Sequence, residues 1–340
     1  MRALVVTSPR RAAVQEFDAP VPGAGQLLVD VERVGICGTD IELFSGEMAY
    51  IHQGRTHFPL RLGHEWTGRV AAVGPDTDES WIGARIVGDT MLGCGVCEYC
   101  RAGTHWVCPD RSEVGILDGW PGALAEQLVI PARFAHRVPE AVSVTAAALV
   151  EPAGNSLRAI DAAALPPGGR LLVLGSGTIG LLAAQFALAK GREVHVAGAR
   201  PSSLALAATL GVEHTHRTVD LDPGTVGRFD AVIDATSIDS SPALAARLVK
   251  PAGRVVLIGL SSTPSLIDTR ELALGDITAI GILSASPGLV GAIEYFASGA
   301  VNPEPLVSET VGLHEVASRL EGGRGPDAGP GPKVHVDPRK

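Results

Sequence analysis

A glycine-rich segment in the middle of the chain constrains the fold more than any other feature of the sequence. Residues 169–185 read "GRLLVLGSGTIGLLAAQ", an apolar strand pattern, a turn and a helical pattern with glycines at Gly175, Gly177 and Gly180. In Gly-x-Gly-x-x-Gly, the glycines allow a tight turn, a close approach of the backbone to a pyrophosphate, and close helix–strand packing. The free N–H groups at the helix start, around Thr178 and Ile179, attract phosphate. We therefore predict a dinucleotide-binding unit; the alternative is a glycine-rich turn without a function.

The rest of the chain fits one such unit inserted into a β-rich domain. Apolar strands alternate with helical segments from about residue 168, as in "EVHVAG", "SSLALAATLG" and "FDAVIDAT", which indicates a parallel sheet covered on both faces. Before it, short apolar runs such as "QLLVDVERVG" are separated by Gly and Pro, which is typical of β structure. The 340 residues favour two domains. We expect a β-rich domain over residues 1–152, a doubly wound α/β domain over 153–290, and a return to the first domain over 291–340.

The end of the second strand of the α/β domain indicates which dinucleotide is bound. An acidic residue there accepts hydrogen bonds from the adenosine ribose of NAD and repels a 2′-phosphate. In this chain the strand "EVHVAG" ends in the turn Gly198-Ala199-Arg200. The glycine leaves room, the guanidinium suits a phosphate, and the hydroxyls of Ser202 and Ser203 add donors. We predict a preference for NADP(H) over NAD(H); the alternative is a surface arginine without influence on the cofactor.

Four of the five cysteines are crowded into one short segment. The segment "GCGVCEYCRAGTHWVCPD" spaces them as C-x2-C-x2-C-x7-C, at Cys94, Cys97, Cys100 and Cys108. Four thiolates close a tetrahedral zinc site and leave no position for a substrate. A lobe of this kind, at about residues 90–110, has almost no apolar core, so the metal itself must hold it together. We predict a structural zinc ion here.

A second set of zinc-binding residue types is dispersed along the chain. Cys37 lies in "GICGTD", His64 and Glu65 in "GHEWTG", and Glu151 in "LVEPAGN". Three mixed S, N and O ligands with one open position are typical of catalytic zinc. Each motif alone is weak evidence, because a single cysteine is usually a small core residue. Together, beside a four-cysteine lobe and a nucleotide fold, they predict a second zinc ion, giving two per chain.

Composition excludes several classes of partner. The formal net charge is −9, and no basic stripe is present, so we expect no nucleic acid partner. No apolar run approaches the roughly 20 residues that span a bilayer, and we expect no membrane association. The N-terminal apolar run is too short for a signal peptide and has no cleavage site. We expect a cytoplasmic protein.

Taken together, these motifs resemble the zinc-containing medium-chain dehydrogenase/reductase family, which includes alcohol, polyol and threonine dehydrogenases. "GICGTD", "GHEWTG", "GDTMLGCGVCEYC", "VEPAGN", "GSGTIG" and "GRVVLIG" occur in family order over nearly the whole chain. The resemblance implies a GroES-like β-rich catalytic domain plus a Rossmann domain, with the active site in the cleft between them. It also implies a homodimer or homotetramer joined through the Rossmann sheets. "VAGARP" is similar to the NADP-dependent secondary alcohol dehydrogenases of the family.

The resemblance also implies roles for individual residues. It implies a catalytic zinc ion held by Cys37, His64 and Glu151. Glu65 resembles a carboxylate that in relatives either ligates the zinc or lies just behind it. Asp40 resembles the carboxylate that orients the zinc-binding histidine, and the Thr39 hydroxyl is expected to accept the proton of the substrate. Hydride then passes from the alcohol carbon to NADP⁺.

One position departs from the family pattern. Polyol and threonine dehydrogenases commonly have a histidine five residues after the cysteine, at the end of the proton relay, whereas this chain has Glu42. If "TDIELF" is helical, Thr39 and Glu42 share a face. Glu42 then either completes the relay as a base or binds the substrate; the alternative is a solvated charge on a helix.

The substrate is the least determined feature of the sequence. The segment 45–59, "SGEMAYIHQGRTHFP", is rich in polar side chains and corresponds to the family's substrate entrance, which favours a polyhydroxylated or amino-bearing alcohol. The alternative is a polar exposed loop. "GHEWTG" is similar to 2-deoxy-scyllo-inosamine dehydrogenases, although those enzymes more often have an acid at the Gly-Ala-Arg turn. We expect a small polar alcohol of the polyol, sugar or aminocyclitol class.

Other functions stay open at this point. A threonine 3-dehydrogenase and a simple secondary alcohol dehydrogenase are the alternative enzymes. A zinc-bearing binding or structural protein of the same fold is the alternative without catalysis, but neither the complete ligand set nor Thr39 is needed for folding. A zinc-free quinone reductase is disfavoured, because such proteins lack both sets of zinc ligands.

Overall fold

A computed structural model describes the whole sequence, Met1 to Lys340, and the chain forms two compact units. The first unit comprises Met1–Glu151, Val307–Gly329 and Lys333–Lys340, and the second comprises Pro152–Leu306 with Pro330–Pro332. The second unit is therefore inserted into the first along the chain, and the C-terminal segment belongs to the first unit again. None of its helices combines the length and the hydrophobicity that a membrane-spanning helix requires.

The structure contains seventeen strands. In chain order they are β1 (Arg2–Ser8), β2 (Arg11–Glu16), β3 (Gln26–Gly35), β4 (Glu65–Val73), β5 (Arg85–Gly88), β6 (Met91–Leu92), β7 (Ser112–Glu113), β8 (Gln127–Pro131), β9 (Ala135–Arg137), β10 (Arg170–Leu174), β11 (Glu193–Gly198), β12 (His214–Arg217), β13 (Phe229–Asp234), β14 (Val249–Leu257), β15 (Thr278–Gly281), β16 (Val307–Val311) and β17 (Lys333–Val336).

Twelve α-helices connect or flank these strands. They are α1 (Gly38–Ser45), α2 (Ala49–His52), α3 (Glu98–Arg101), α4 (Val144–Ala147), α5 (Val150–Ala163), α6 (Thr178–Ala189), α7 (Pro201–Thr209), α8 (Pro223–Val226), α9 (Ser241–Leu248), α10 (Thr269–Leu274), α11 (Leu289–Ala297) and α12 (Val316–Leu320).

The first unit is built on a seven-stranded sheet. Its order is β16-β17-β3-β4-β5-β9, with β8 pairing β3, and all pairs except β16–β17 are antiparallel. Alternate residues of β3 and β4, such as Val34 and Trp66, are buried in the main apolar core. The returning strand β17 lies directly beside β3, so the C-terminal segment brings its side chains to the strands that carry the "GICGTD" and "GHEWTG" motifs.

The second unit is a doubly wound α/β domain, as the strand–helix alternation predicts. Its six-stranded sheet has the order β12-β11-β10-β13-β14-β15, and every neighbouring pair is parallel. The central strand β10 is buried from Leu171 to Leu174, because helices cover both faces of a parallel sheet. The order of the first four strands reverses at β10, which places the glycine-rich turn after β10 where such sheets bind dinucleotides.

The boundary between the units differs from the expected one. The second unit ends at Leu306 and not at residue 290, so helix α11 belongs to it. The reason is aromatic packing: the rings of Tyr295 and Phe296 on α11 lie 5.2 and 6.5 Å from the ring of Phe186 on α6. Those contacts are made through the tertiary fold, and the Gly/Pro pattern of the sequence does not reveal them.

Candidate active site

The first candidate site residue, Cys37, is fixed by the start of helix α1. Cys37 has extended backbone angles and is the N-cap of the helix, and Asp40 three residues later accepts a 2.8 Å hydrogen bond from the Cys37 N–H. Acidic groups in the first turn also favour the helix dipole. The helix ends at Gly46, whose positive φ of 85° suits glycine. The sequence "CGTDIELFSG" therefore holds the Cys37 thiol and the Asp40 carboxylate in a defined relation.

Three of the expected zinc ligands come together. One donor atom each of Cys37, His64 and Glu65 lies within 4.8 Å of the other two, and both His64 and Glu65 are buried at the start of β4. A thiolate, an imidazole and a carboxylate at this spacing are a donor set that zinc prefers. Glu151, in the first turn of α5 and half-buried, is not part of this group, and its role as a ligand stays a prediction.

Asp40 stands behind His64, as the resemblance implies. The His64 Nδ1 lies 3.5 Å from Asp40 Oδ1 and has no hydrogen-bond partner, while Asp40 Oδ1 accepts a hydrogen bond from the Gly63 N–H at 3.2 Å. Burial lowers the pKa of His64, but the facing Asp40 carboxylate outweighs it and raises that pKa well above its usual value. Asp40 thus faces Nδ1, and a metal-binding histidine commonly presents its other ring nitrogen, here Nε2, to the ion.

Glu65 has a partner that the sequence analysis missed. The Lys333 Nζ donates to both carboxylate oxygens of Glu65, at 2.8 and 2.6 Å, and to the Ile36 carbonyl at 2.9 Å. Both side chains are almost fully buried. Burial lowers the pKa of Lys333, but the Glu65 carboxylate outweighs burial and raises it. The sequence signal was a lone lysine at the start of the apolar strand "KVHV", in a chain with only four lysines.

The two other catalytic candidates lie three residues apart on α1. Thr39 is half-buried and Glu42 is exposed, and neither side chain makes a hydrogen bond within the chain. Partial desolvation, followed by the neighbouring Glu47 carboxylate, raises the pKa of Glu42. A carboxylate with a raised pKa is better suited to accept a proton near neutrality.

The polar segment 45–59 is used partly by the fold itself. The Tyr50 hydroxyl lies 3.1 Å from an Arg111 nitrogen and 3.3 Å from the buried Glu113 carboxylate. The Thr56 hydroxyl donates to the Ile116 carbonyl at 2.8 Å. Other polar side chains of the segment, those of Glu47, His52, Gln53 and His57, are exposed. Part of the polarity therefore has a structural reason, and the exposed part is free to meet a ligand.

The four-cysteine segment has the geometry of a metal site. All four Sγ atoms lie within 4.8 Å of one another, with Cys94–Cys100 at 4.0 Å and Cys97–Cys108 at 3.6 Å. These distances are too long for disulfides, and they match the roughly 3.8 Å edge of a tetrahedron with Zn–S bonds of about 2.3 Å. N–H groups of Val96 and Cys97 point at the Cys94 sulfur and lower the pKa of that thiol to about 6.

Few other contacts fasten this lobe to the sheet. Asp89, just after β5, accepts a 2.8 Å hydrogen bond from His105 inside the lobe. The Arg133 guanidinium donates to the Gly93 carbonyl at 3.0 Å, next to Cys94. The short helix α3 contributes no buried side chain. The lobe thus has the thin core that the sequence predicts.

In the second unit, the glycine-rich turn has the expected shape. Gly175 has a positive φ of 104°, and a Cβ on Gly180 would overlap the Gly175 carbonyl. Nothing lies within 4 Å of the place where a Cβ on Gly177 would stand. Helix α6 begins at Thr178, so the N–H groups of Thr178 and Ile179 are among the donors that the helix itself leaves unpaired at its start.

The turn after β11 departs in part from expectation. Gly198 is the last residue of β11, and a Cβ there would overlap the Ser176 hydroxyl, so close packing is one reason for the glycine. Ala199, Arg200 and Ser202 are exposed. Ser203 is buried, and its hydroxyl bonds Ser176 at 2.6 Å and the Arg200 carbonyl at 2.9 Å. The expectation that Ser203 offers a donor to a phosphate is therefore wrong.

A second arginine at this place was missed. Arg217 ends β12, is exposed, and pairs in register with Gly198. Neighbouring positions in a parallel pair of strands lie about 4.8 Å apart. The side chains of Arg200 and Arg217 are therefore attached at the same corner of the sheet. The pairing is long-range, and the motif "GARP" alone gives no sign of it.

Known proteins resemble the chain in both units. Its residues 23–140 match the family model of the alcohol dehydrogenase GroES-like domain, and residues 178–297 match that of the zinc-binding dehydrogenases. The chain is 30% identical to 2-dehydro-3-deoxy-L-galactonate 5-dehydrogenase of Pseudoalteromonas atlantica over 90% of both sequences. It is 28% identical to sorbitol dehydrogenase of Bacillus subtilis, over 94% of this chain and 93% of the relative. A zinc-binding dehydrogenase of Sinorhizobium meliloti 1021, solved with NADP bound, superposes with a TM-score of 0.90 at 28% identity over 99% of both chains.

Proposed function

The chain belongs to the zinc-containing medium-chain dehydrogenase/reductase family and is an NAD(P)-dependent alcohol oxidoreductase, and on that premise we propose its reaction. The reaction is hydride transfer between a secondary alcohol of the polyol, sugar or aminocyclitol class and NADP⁺. The observation that supports it most is the buried group Cys37, His64 and Glu65. These residues, with Glu151, would hold the catalytic zinc.

The residues of the first unit would have different roles at this site. A zinc ion, when bound, lowers the pKa of an alcohol hydroxyl. Asp40 would orient the His64 ring by accepting Nδ1–H, with Nε2 as the nitrogen that binds the metal. Lys333 compensates the charge of Glu65 and holds both of its oxygens, so it fixes the direction from which Glu65 would approach a metal.

Thr39 and Glu42 are the proposed proton path. The Thr39 hydroxyl would accept the substrate proton, and Glu42, on the same face of α1, would receive it next. The raised pKa of Glu42 supports this role. A Glu42→Gln variant is expected to lose the limb of the pH–rate profile that rises with the deprotonation of Glu42, and an unchanged profile would remove Glu42 from the path.

We propose a preference for NADP(H) on three grounds. Gly198 offers no carboxylate to the adenosine ribose, and its contact with Ser176 leaves little space for one. Arg200 and Arg217 offer two exposed guanidinium groups to a 2′-phosphate. The Ser202 hydroxyl adds a donor.

The four-cysteine lobe would hold the second, structural zinc ion.

We also propose that the chain forms a homodimer or homotetramer through the second unit. Strand β15 is the last strand of its sheet, and its outer edge has no partner strand within the chain. Such an edge is a template for pairing with a second copy. The segments before it expose large apolar side chains: Leu260, Leu266 and Leu274. Sedimentation of the purified protein tests this proposal, and a monomer at micromolar concentration would contradict it.

One experiment tests the proposed reaction. Purified protein of measured zinc content is mixed with NADP⁺ or NAD⁺ and a panel of cyclitols, sugar alcohols, sugar acids, threonine and 2-alkanols, and reduction of the cofactor is followed by absorbance. We expect turnover with a polyhydroxylated alcohol and NADP⁺, and loss of at least about 10³-fold in kcat/KM for Cys37→Ser. Turnover by Cys37→Ser at the parent rate, or activity with simple 2-alkanols alone, would contradict the proposal.

A further inference from the structure

A cluster of histidines in the second unit takes no part in either zinc site or in the cofactor turn. Three of the ten histidines of the chain, His195, His214 and His216, lie on the neighbouring strands β11 and β12. The strands pair in parallel with His195 opposite His214 and Ala197 opposite His216. Since side chains of residues two apart share a face of a strand, Glu193 and the three histidines all project from one face of the sheet.

The side chains of this cluster are close enough to share an ion. One ligand atom each of Glu193, His195 and His214 lies within 4.8 Å of the other two, a limit that the Cys37 group and the four-cysteine lobe also meet. The Glu193 carboxylate lies 2.9 Å from His195 Nε2. Glu193 and His214 are exposed, so their side chains can move toward an ion without repacking the core.

The buried member of the cluster is held in place from several sides. His195 Nδ1 lies 2.9 Å from His216 Nε2, and the ring of Phe229 packs edge-on against His195 at 4.9 Å. Metal-binding histidines commonly use one ring nitrogen for the metal and donate the other N–H to a fixed acceptor. In the ion-free protein Nε2–H donates to Glu193. With an ion bound, His195 would instead donate Nδ1–H to His216 and present Nε2 to the ion, on the side where Glu193 lies.

We propose that Glu193, His195 and His214 form a third metal site, for a divalent first-row transition ion such as Zn²⁺ or Ni²⁺, at the edge of the second unit's sheet. Two imidazoles and one carboxylate suit these ions, whereas Ca²⁺ and Mg²⁺ require more oxygen ligands. His216 is a positioning residue that fixes the ring of His195.

Two features of the cluster set the strength of the site. Arg170 already donates to Glu193 at 2.7 Å and lies 3.4 Å from His195 Nε2, so an ion meets a neighbouring positive charge. The His195 and His214 rings are stacked with their centroids 4.3 Å apart, and His214 must turn for both rings to point at one ion. Both features weaken ion binding. We therefore expect a site of micromolar affinity that exchanges its ion, and not a permanently occupied one.

The site is tested with Ni²⁺ on the intact, zinc-loaded protein. Equilibrium dialysis against Ni²⁺, with nickel and zinc measured on both sides of the membrane, shows whether nickel adds to the zinc or replaces it. We expect one Ni²⁺ per chain at micromolar concentration with no release of zinc. His214→Ala and Glu193→Gln should each weaken Ni²⁺ binding by about tenfold or more, and His216→Ala by a smaller factor.

Matched variants make the result decisive. His314→Ala removes another exposed histidine, and Glu213→Gln removes the exposed acid next to His214; both should bind Ni²⁺ like the parent. Ni²⁺ should also raise the melting temperature of the parent and not that of His214→Ala. Equal Ni²⁺ binding by the parent and His214→Ala, release of one zinc per nickel taken up, or no binding below about 1 mM would each overturn the proposal. None of these readouts uses enzymatic activity.

Discussion

At the scale of single residues, the candidate active site depends on one position with no side chain at all. Gly35, at the end of β3, pairs in register with Glu65 on β4 and with His335 on β17. A Cβ on Gly35 would overlap the Glu65 carboxylate, so the glycine is what lets Glu65 lie across β3 and reach Lys333. The neighbouring Gly38 has nothing within 4 Å of the position of its Cβ.

This difference gives a paired prediction. Gly35→Ala should displace Glu65 from Lys333, lower the free energy of unfolding by about 1–3 kcal/mol through overpacking, and reduce kcat. Gly38→Ala, in the first turn of α1, should leave the free energy of unfolding unchanged or raise it slightly, because alanine favours a helix. Urea unfolding and steady-state rates of the two variants check this. Equal stability and equal rates for the two variants would show that Glu65 does not need the space left by the missing side chain of Gly35.

His335 is the other unusual single residue. It is fully buried on β17, and neither of its ring nitrogens has a hydrogen-bond partner. Burial first, and then the nearby charges of Lys333 and Arg33, lower its pKa well below 6.5. The folded protein therefore keeps His335 neutral, whereas the unfolded chain takes up a proton below about pH 6.5.

The sign of the resulting pH dependence follows directly. His335 destabilises the fold as pH falls below about 6.5, by at most about 1.4 kcal/mol per pH unit. His335→Leu removes this proton uptake and also removes two unsatisfied nitrogens, so it should be neutral or stabilising at pH 7. Urea midpoints of parent and variant at about pH 7 and pH 5.5 measure the effect. The difference in urea midpoint between the variant and the parent should be larger at the lower pH. The same difference at both pH values would contradict the prediction that His335 stays neutral in the folded protein.

At the scale of elements, the four-cysteine lobe contrasts with the sheet to which it is attached. Its helix α3 buries no side chain, and its links to the sheet region are few, among them the His105–Asp89 hydrogen bond and the contact of the His105 and Phe134 rings. Strands β3 and β4, by comparison, pair over eight residue positions around a common core. The lobe must therefore draw its stability from the metal, while the sheet does not.

Removing the metal should therefore open the lobe and leave the sheet folded. We expect a chelator, or the Cys97→Ser substitution, to make the chain sensitive to protease between about residues 94 and 108, with little change in the secondary structure seen by circular dichroism. Limited proteolysis with mass spectrometry of the fragments measures this. Cys37→Ser is the control, because it removes a thiol from the other site and should not open the lobe. Protection of the lobe after complete loss of zinc would contradict the prediction.

At the scale of the whole molecule, the charge distribution bears on cofactor choice. The chain has a net charge of −9, which repels anionic ligands in general, yet Arg200 and Arg217 concentrate positive charge at one corner of the second unit. Both are exposed, so their attraction for a phosphate is screened by salt, with a Debye length of about 10 Å at 0.1 M. NADP⁺ carries one more phosphate than NAD⁺, so salt should weaken the binding of NADP⁺ more than that of NAD⁺.

The prediction compares the two cofactors as salt is raised. Between about 0.05 and 0.5 M salt, the KM for NADP⁺ should rise several-fold, whereas the KM for NAD⁺ should change little. Arg200→Glu should weaken NADP⁺ binding by about tenfold or more and abolish the difference in salt dependence. Arg247→Glu, an exposed arginine on α9, is the matched control and should behave like the parent. An Arg200→Glu variant that keeps its affinity for NADP⁺ would refute the proposed preference.

The sequence by itself determined what depends on short spacings. The glycine-rich turn between strand and helix, the alternation of strands and helices after it, and the four cysteines within fifteen residues each act through neighbours along the chain. Local backbone geometry fixes such features, so their residue types identified the α/β fold, the family and the lobe.

Only the tertiary structure decided what depends on distant segments. Lys333 reaches Glu65 from 268 positions away, Arg217 meets Gly198 by strand pairing, Ser203 is buried against Ser176, and α11 packs on α6 beyond the expected boundary. Packing and strand register create these contacts, and neither is encoded in the spacing of a motif. A buried charge or a lone glycine acquires its role from the side chain that folding brings against it.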